Sequence, residues 1–511
     1  MSSRTKYSVQ NAKIAILFYF INLILQFFSR KIFIEYLGAE VLGLNTTLQN
    51  ILGMLNIAEL GVGAAIAYCL YKPVYDQNRQ QIEEIVSVQG WMYRRIAFFV
   101  IGGAIVLMAF FPIIFKDTDI SPLYIYGTFI AFLTSSLLGY FVNYKQIVLT
   151  AVQKEYKNTF CVKGGMAIKV VAQIFAIKYL SNGYLWWIII EFSSAFVISG
   201  VISVVIRREF PWLKTSASLG GLLRKKYPVI IVKTKQMFFH KIAGFVLTQT
   251  SPLIIYAYAS LTLVASYGNY FLIVMGIVSL MNALTNSITA SVGNLVAEGN
   301  LSNTINVYWK IAFLRILVAG TACFTFFITA DEFISLWVGS EYIIPIAALA
   351  VMTLNMFLSL TRINDMFISA YGLYQDIWAP LAEAVLNIGL SCLFGYFYGL
   401  AGILAGISVS LIVIVHMWKP YFLFTQGFKI PISQYVVRIG KYLMVTAISI
   451  TVSYYIYSLI KISNDNEFVE LIVAMLTSMV TYFMVSISLF SIIDKYPIML
   501  IRELANRLLK R

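Results

Sequence analysis

Apolar stretches of about twenty residues recur along the whole chain, separated by short polar turns. Each is long enough to cross a hydrocarbon layer of about 30 Å as a helix rising 1.5 Å per residue. The pattern predicts fourteen spans, at 12–34, 42–70, 96–115, 122–148, 159–180, 184–206, 237–258, 263–293, 309–330, 342–367, 377–398, 400–424, 441–461 and 468–491. The expected fold class is therefore an all-α polytopic membrane protein. An even span number puts both termini on one side. Arg4 and Lys6 before the first stretch imitate a signal peptide. That stretch is too long for a signal sequence and no small-residue cleavage site follows, so it is read as an uncleaved first span.

Composition agrees with this pattern. Hydrophobic residues make up 60% of the chain and charged residues 12%, with a mean hydropathy of +0.80. A soluble protein carries about 25% charged residues. The formal net charge of +15 could suggest nucleic acid, but the positions of the charges argue otherwise. One set of loops and termini gathers Lys72, Arg79, Arg94, Arg95, Lys154, Lys157, Arg207, Arg208, Arg224, Lys225, Lys226, Lys429 and Arg438. The opposite set holds Glu35, Glu40, Asp117, Asp119, Asp331, Glu332, Glu341, Asp465 and Glu467, with only Lys116, Lys178 and Lys461 as cations. By the positive-inside rule both termini are cytoplasmic, and the positive charge lies against an anionic inner leaflet. Membrane lipids, not nucleic acid, are its partners.

The longest inner loop divides the chain. We expect an N-lobe at 1–206 (spans 1–6), a cytoplasmic linker at 207–236 and a C-lobe at 237–424 (spans 7–12). Two additional spans follow at 425–491, then a basic amphipathic cytoplasmic tail at 492–511. The linker sequence "LGGLLRKKYPVIIV" reads as a short interfacial helix ended by Pro228. A weak repeat sets Gly43 of the second span against Gly268 of the eighth, suggesting two six-helix lobes around a central cavity.

The segment "ILQFFSRKIFIEYLG" places Arg30 beside Lys31 in an almost unbroken apolar run. A charge at a helix centre costs about 2.5–3.5 kcal/mol on insertion scales. At 100° per residue, Asn22, Gln26 and Arg30 share one stripe, whereas Lys31 points elsewhere and reaches Glu35 at i+4. Arg30 is read as facing an internal cavity, with snorkelling at the outer end as the alternative; for Lys31 the order is reversed. Similar stripes run through Asn45, Gln49 and Asn56 with Glu59 at the margin, and through Asn282, Asn286 and Thr289. Others join Asn355, Ser359 and Arg362, with Asp365 a turn on, and Glu383, Asn387 and Ser391. Lys169, with Gln173 one turn beyond, lies at a depth where Glu191 can pair with it, as a structural tie or a ligand contact. Lys145, Lys241 and Arg315 are read as interfacial anchors, His240 as a packed interfacial histidine, and Trp91, Trp186, Trp187, Trp309, Trp378 and Trp418 as aromatic belts. A polar interior with unbalanced cations suits an anionic amphiphile, its phosphate on Arg or Lys and its sugar hydroxyls on amides and hydroxyls.

Other chemistry is missing from the sequence. There is no phosphate-binding glycine loop for ATP, no zinc-protease or serine-hydrolase motif, and no close cysteine spacing among Cys69, Cys161, Cys323 and Cys392. No cofactor, metal site or catalytic residue is expected. A membrane enzyme of glycan assembly would need a sizeable outer loop bearing catalytic acids, and the outer turns are short.

A basic first span, then "YLGAEVLGLNTTLQNILGMLNIAELGVGAAIA", "VQGWMYRRI" and "NYKQIVLTAVQKEYKN", resembles the polysaccharide-transporter family. These are the Wzx-type flippases of O-antigen and capsule repeat units, in the wider multidrug/oligosaccharidyl-lipid/polysaccharide (MOP) exporter superfamily. The likeness is strongest over roughly the first 160 residues. It implies a bacterial inner-membrane flippase of undecaprenyl-pyrophosphate-linked oligosaccharide, working by alternating access in lipopolysaccharide, capsule or exopolysaccharide biosynthesis. A polysaccharide polymerase and a chain-length regulator would be further partners. It implies Arg30 as the cationic side chain of the first span in the cavity; on the polar stripes, Lys169 and Arg362 are added as pyrophosphate contacts and Asn22, Gln26, Asn45, Gln49, Asn56 and Asn282 as the sugar path. Glu59, Glu191 and Glu383 would couple ions or balance those cations. Drug-exporting relatives commonly carry an acidic residue in the first span; here the nearest is Glu35, past its outer end. A cation-coupled drug or metabolite antiporter is the second reading, and a membrane enzyme the third.

Overall fold

The computed structural model describes residues 3–373, 376, 378–460 and 466–498, and among them it contains helices and no strand. The tail from residue 499, and the side chains of His240, Lys241, Asn286 and Thr289, lie outside the described residues. In chain order the helices are α1 (Ser3–Leu37), α2 (Ala39–Leu55), α3 (Val62–Tyr75), α4 (Arg79–Ile114), α5 (Pro122–Phe141) and α6 (Ile147–Ala151). Then come α7 (Glu155–Tyr179), α8 (Gly183–Glu209), α9 (Gly220–Leu223), α10 (Pro228–Tyr258), α11 (Leu261–Ala297) and α12 (Leu301–Val338). The last are α13 (Ile346–Leu360), α14 (Asn364–Ala370), α15 (Trp378–Ser410), α16 (Lys419–Phe422), α17 (Ser433–Ile460) and α18 (Glu467–Ile493). This is a multi-pass membrane protein.

Eleven described helices are long and apolar enough to cross a membrane, or twelve with α2 and α3 joined as one bent span. One of the eleven, Trp378–Phe428, has 51 residues, far more than one crossing needs. It is divided at Gly399, whose φ of 57° and ψ of −137° suit glycine alone. With that division and the 31-residue α10, the described helices supply fourteen segments of crossing length.

Several helices run past the predicted ends. The inner loop expected around 79–95 is the first half of α4, and the expected interfacial helix of the linker is the single turn α9. That turn is docked, not free. A Cβ at Gly220 would meet the Ser87 carbonyl oxygen at 2.4 Å. Ser216 N–H donates to Ser87 Oγ at 3.0 Å, and Lys226 Nζ reaches Glu84 at 2.6 Å. Pro228 opens α10, where its missing N–H costs nothing.

Contacts divide the chain into two compact units, Met1–Ala265 and Ser266–Arg511. The first has a core in which Phe33, Tyr184 and Trp187 meet edge-on or stacked, beside Phe129 and Leu44. In the second, Tyr308 is ringed by Trp309, Phe367, Phe424 and Phe428. Trp187 and Trp309, expected in the aromatic belts, are core residues instead, because the helices bearing them are covered by neighbours. The two helices paired in the weak repeat also differ. The second span breaks between α2 and α3, with a 3₁₀ turn at Asn56–Glu59 and Gly61 at φ 90°, whereas α11 is continuous.

Close backbone approach in the first unit depends on Gly43. A Cβ there would lie 1.9 Å from the Leu261 carbonyl oxygen. Gly43→Ala is expected to destabilise by ~1–3 kcal/mol, the usual range for overpacking. Gly102→Ala, with open space at its Cβ, should be neutral or slightly stabilising. Thermal unfolding of both variants in detergent checks the contrast, and equal melting points would refute it.

Candidate functional site

Along α1 the exposed apolar residues and the polar stripe fall on different faces. Ile16, Leu17, Phe20, Ile24 and Phe28 are all exposed and lie on one arc, which Lys31 and Glu35, both exposed, continue toward the helix end. Gln26 is exposed on a different face, about 160° from Ile24, between half-buried Asn22 and Arg30. Asn22 Nδ2 donates to its own helix at Phe18 O, 2.8 Å away. Arg30 Nη2 donates to Ala265 O at 3.1 Å, in the first turn of α11. Arg30 and Lys31 therefore occupy separate environments.

The break between α2 and α3 gathers the next group. Asn56 Oδ1 accepts from Ser136 Oγ at 3.0 Å and Tyr140 Oη at 2.8 Å, both on α5. Glu59 Oε1 accepts from Tyr93 Oη of α4 at 3.0 Å. Asn45 is buried, with its Oδ1 accepting from Tyr184 Oη at 2.8 Å, itself 2.7 Å from Thr128 Oγ1. Gln49, by contrast, is exposed. The amide stripe of the sequence thus separates into packed members (Asn45, Asn56) and one outward member (Gln49). The tyrosines that fix the packed ones were not singled out from sequence, since a lone Tyr in an apolar span carries no period of its own.

Lys169 of α7 and Glu191 of α8 form an ion pair at 2.8 Å, and Gln173 Nε2 donates to the second carboxylate oxygen at 2.8 Å. Both Glu191 oxygens are engaged and the pair ties α7 to α8. Two charges that cancel at this depth cost far less than either alone.

In the second unit the tenth span breaks at Thr361–Ile363, between α13 and α14. Arg315 of α12 is buried and donates from Nη1 to Arg362 O at 2.7 Å and Leu360 O at 3.4 Å. His416 Nε2 lies 2.9 Å from Leu358 O. These donors satisfy carbonyls that the end of a helix leaves orphaned. Arg315 was expected as an interfacial anchor; it is instead a buried cap, because the broken helix beside it needs donors. Arg362 Nε pairs with Asp365 at 3.0 Å and its Nη1 approaches Glu383 at 3.4 Å, with Lys419 also on Asp365. Glu383 is only 1% exposed. Three cations (Arg315, Arg362, Lys419) thus face two carboxylates (Asp365, Glu383). Lys419 escaped sequence reading because it follows a π-helical stretch, Leu411–Trp418, that breaks the 3.6-residue period. Asn282 is exposed and Asn387 wholly buried.

No protein-family model and no curated protein matches the sequence. Solved structures do match its shape. An inward-facing multidrug resistance MATE family transporter of the MOP superfamily superposes with a TM-score of 0.60 at 14% identity, over 82% of this chain and 98% of that one. The lipid II flippase MurJ in an inward closed conformation gives 0.63 at 15% identity, over 94% and 100%. A MOP superfamily transporter from Pyrococcus furiosus, described as having a binding pocket of reverse polarity, gives 0.52 at 14%, over 84% and 97%. The fold is that of MOP-superfamily transporters. These neighbours are transporters and flippases rather than enzymes.

The paired charges generate a stability test. Glu191→Leu alone strands a cation beside apolar helices and should destabilise by ~3–5 kcal/mol. The double change Lys169→Met with Glu191→Leu should recover most of that loss. Unfolding of the three proteins in one detergent measures the coupling; a double variant no better than the single one contradicts a mutual pair.

Proposed function

We propose that this protein moves undecaprenyl-pyrophosphate-linked oligosaccharide repeat units from the cytoplasmic to the periplasmic leaflet of the bacterial inner membrane by alternating access, for O-antigen, capsule or exopolysaccharide assembly. Both termini are cytoplasmic on this reading, and a polymerase and chain-length regulator act downstream. The observation that carries it is the charge of α1: no Asp or Glu precedes Glu35, while Arg30 continues the Asn22–Gln26 stripe. A cationic first span favours an anionic substrate such as a pyrophosphate over a cationic drug. The structural likeness supports the same direction. The lipid II flippase accounts for more of this chain than the MATE transporter does, and the difference corresponds in length to the α17–α18 pair.

Arg30 attracts the pyrophosphate, and exposed Gln26, Gln49 and Asn282, with Asn22, contact sugar hydroxyls. Asn45 and Asn56 serve that path through the helix geometry they fix. On this reading Lys169 and Arg362 meet the pyrophosphate by exchanging their carboxylate partners for it, and Glu59, Glu191 and Glu383 balance charge or couple ions.

In a strain carrying Arg30→Ala at its chromosomal locus, surface polysaccharide should fall by about ten- to a hundredfold, the loss of one charged hydrogen bond of ~1.5–3 kcal/mol. Membrane insertion should be unchanged. Normal polysaccharide at native expression would remove Arg30 from the mechanism. A deletion strain with intact polysaccharide and heightened drug sensitivity would favour the cation-coupled antiporter instead.

A further inference from the structure

We propose that the end of the first unit bearing Glu40 and Asp117 holds a binding site for an uncharged saccharide, in a cavity between α2, α4 and α10. The cavity measures about 670 Å³ and lies wholly within that unit. Its polar lining is Glu40, Thr47, Asp117, Thr118, Ser260 and Thr262, together with Lys116 and Tyr256; its apolar wall is Ile51, Ile114, Leu253 and Leu261.

The lining is built. Thr47 is fully buried behind the cavity wall, so it shapes the space without presenting its hydroxyl to it. Glu40 Oε1 is oriented by Thr118 Oγ1 at 2.5 Å, leaving its second oxygen for another donor. Tyr256 is held by its Oη bond to Ile114 O at 2.7 Å and by stacking on Phe115 at 5.5 Å between centroids.

Size and charge select the ligand. Calcium takes six to eight oxygens at about 2.3–2.6 Å, and this lining offers two carboxylates spread over a space large enough for a sugar ring. Two carboxylates against one lysine repel phosphates and uronic acids. Carboxylate and hydroxyl acceptors beside aliphatic side chains match a pyranose, which has hydroxyls around its rim and C–H groups on its face. The cavity lies at the end expected to face outward, so under the proposed function it receives the glycan after reorientation. Only this last point rests on that function.

The test uses the full-length protein in nanodiscs and saturation-transfer NMR with three probes: methyl α-glucoside, the methyl glycoside of N-acetylglucosamine, and methyl glucuronoside. At least one neutral glycoside should receive saturation and the glucuronoside should not. Glu40→Ala should weaken the signal about tenfold, as expected for one charge-assisted hydrogen bond. Thr262→Trp, at an exposed position on the cavity wall, should abolish it by filling the space. No signal from either neutral probe, an equal signal from the glucuronoside, or a signal unchanged in Thr262→Trp would overturn the proposal. Because binding is read without transport, polysaccharide loss in Arg30→Ala with no sugar signal rejects the site alone. A sugar signal with normal polysaccharide in Arg30→Ala rejects the role of Arg30 alone.

Discussion

In hydrocarbon a backbone carbonyl has no water to turn to, so a membrane helix can break only where something else donates to it. The break between α13 and α14 meets this condition with side chains from two other segments. Arg315 takes the carbonyls of Leu360 and Arg362, and His416 that of Leu358. The break between α2 and α3 uses a second device. Its own polar side chains, Asn56 and Glu59, are held by hydroxyls from α4 and α5. Between α13 and α14 polar side chains satisfy the irregular backbone directly; between α2 and α3 they anchor the bend to its neighbours while the backbone N–H of Asn56 returns to its own helix. Gln26 and Gln49, exposed and outside these breaks, keep their amides free of that task.

The same economy governs charge. Burying an ion pair costs desolvation of both members, and good geometry with further hydrogen bonds is needed to offset it. Lys169 and Glu191 meet that requirement through Gln173, and Arg362 through Asp365 and Glu383. Such pairs tie neighbouring helices without presenting a net charge. The second unit departs from balance by one cation within its five-member group, and that excess is spent beside helix C-terminal carbonyls, where positive charge is favoured.

The spans were legible because their signal is long. Twenty apolar residues with a charged turn at each end leave little else to propose, and the helices follow. The breaks were less legible. Nothing in "NIAELG" announces a bend, since a polar or glycine residue in an apolar run is equally compatible with a continuous packed helix. Depth matching anticipated the contact between Lys169 and Glu191, because both positions count from nearby span ends. Arg315 was misread for the complementary reason. Its distance from a span end resembles that of an anchor, and only the broken helix opposite gives it buried carbonyls to serve. Trp187 and Trp309 failed similarly, because sequence position reports depth and says nothing about which face a neighbour covers.

Helix periodicity did separate Arg30 from Lys31, two adjacent cations that length and composition treat alike. The structure adds what Arg30 touches, the carbonyl of Ala265 at the first turn of α11. That turn also lies against α2, since the carbonyl of Leu261 occupies the space a side chain at Gly43 would need. Leu261 and Thr262 of the same turn wall the cavity that contains Glu40 and Thr47. One turn of helix therefore holds the guanidinium, excludes a Cβ from α2 and bounds the polar cavity. Moving it by the width of a methyl group would disturb all three. The requirement for glycine at 43 and the position of the cation at 30 are consequently one constraint, imposed from two helices on a third.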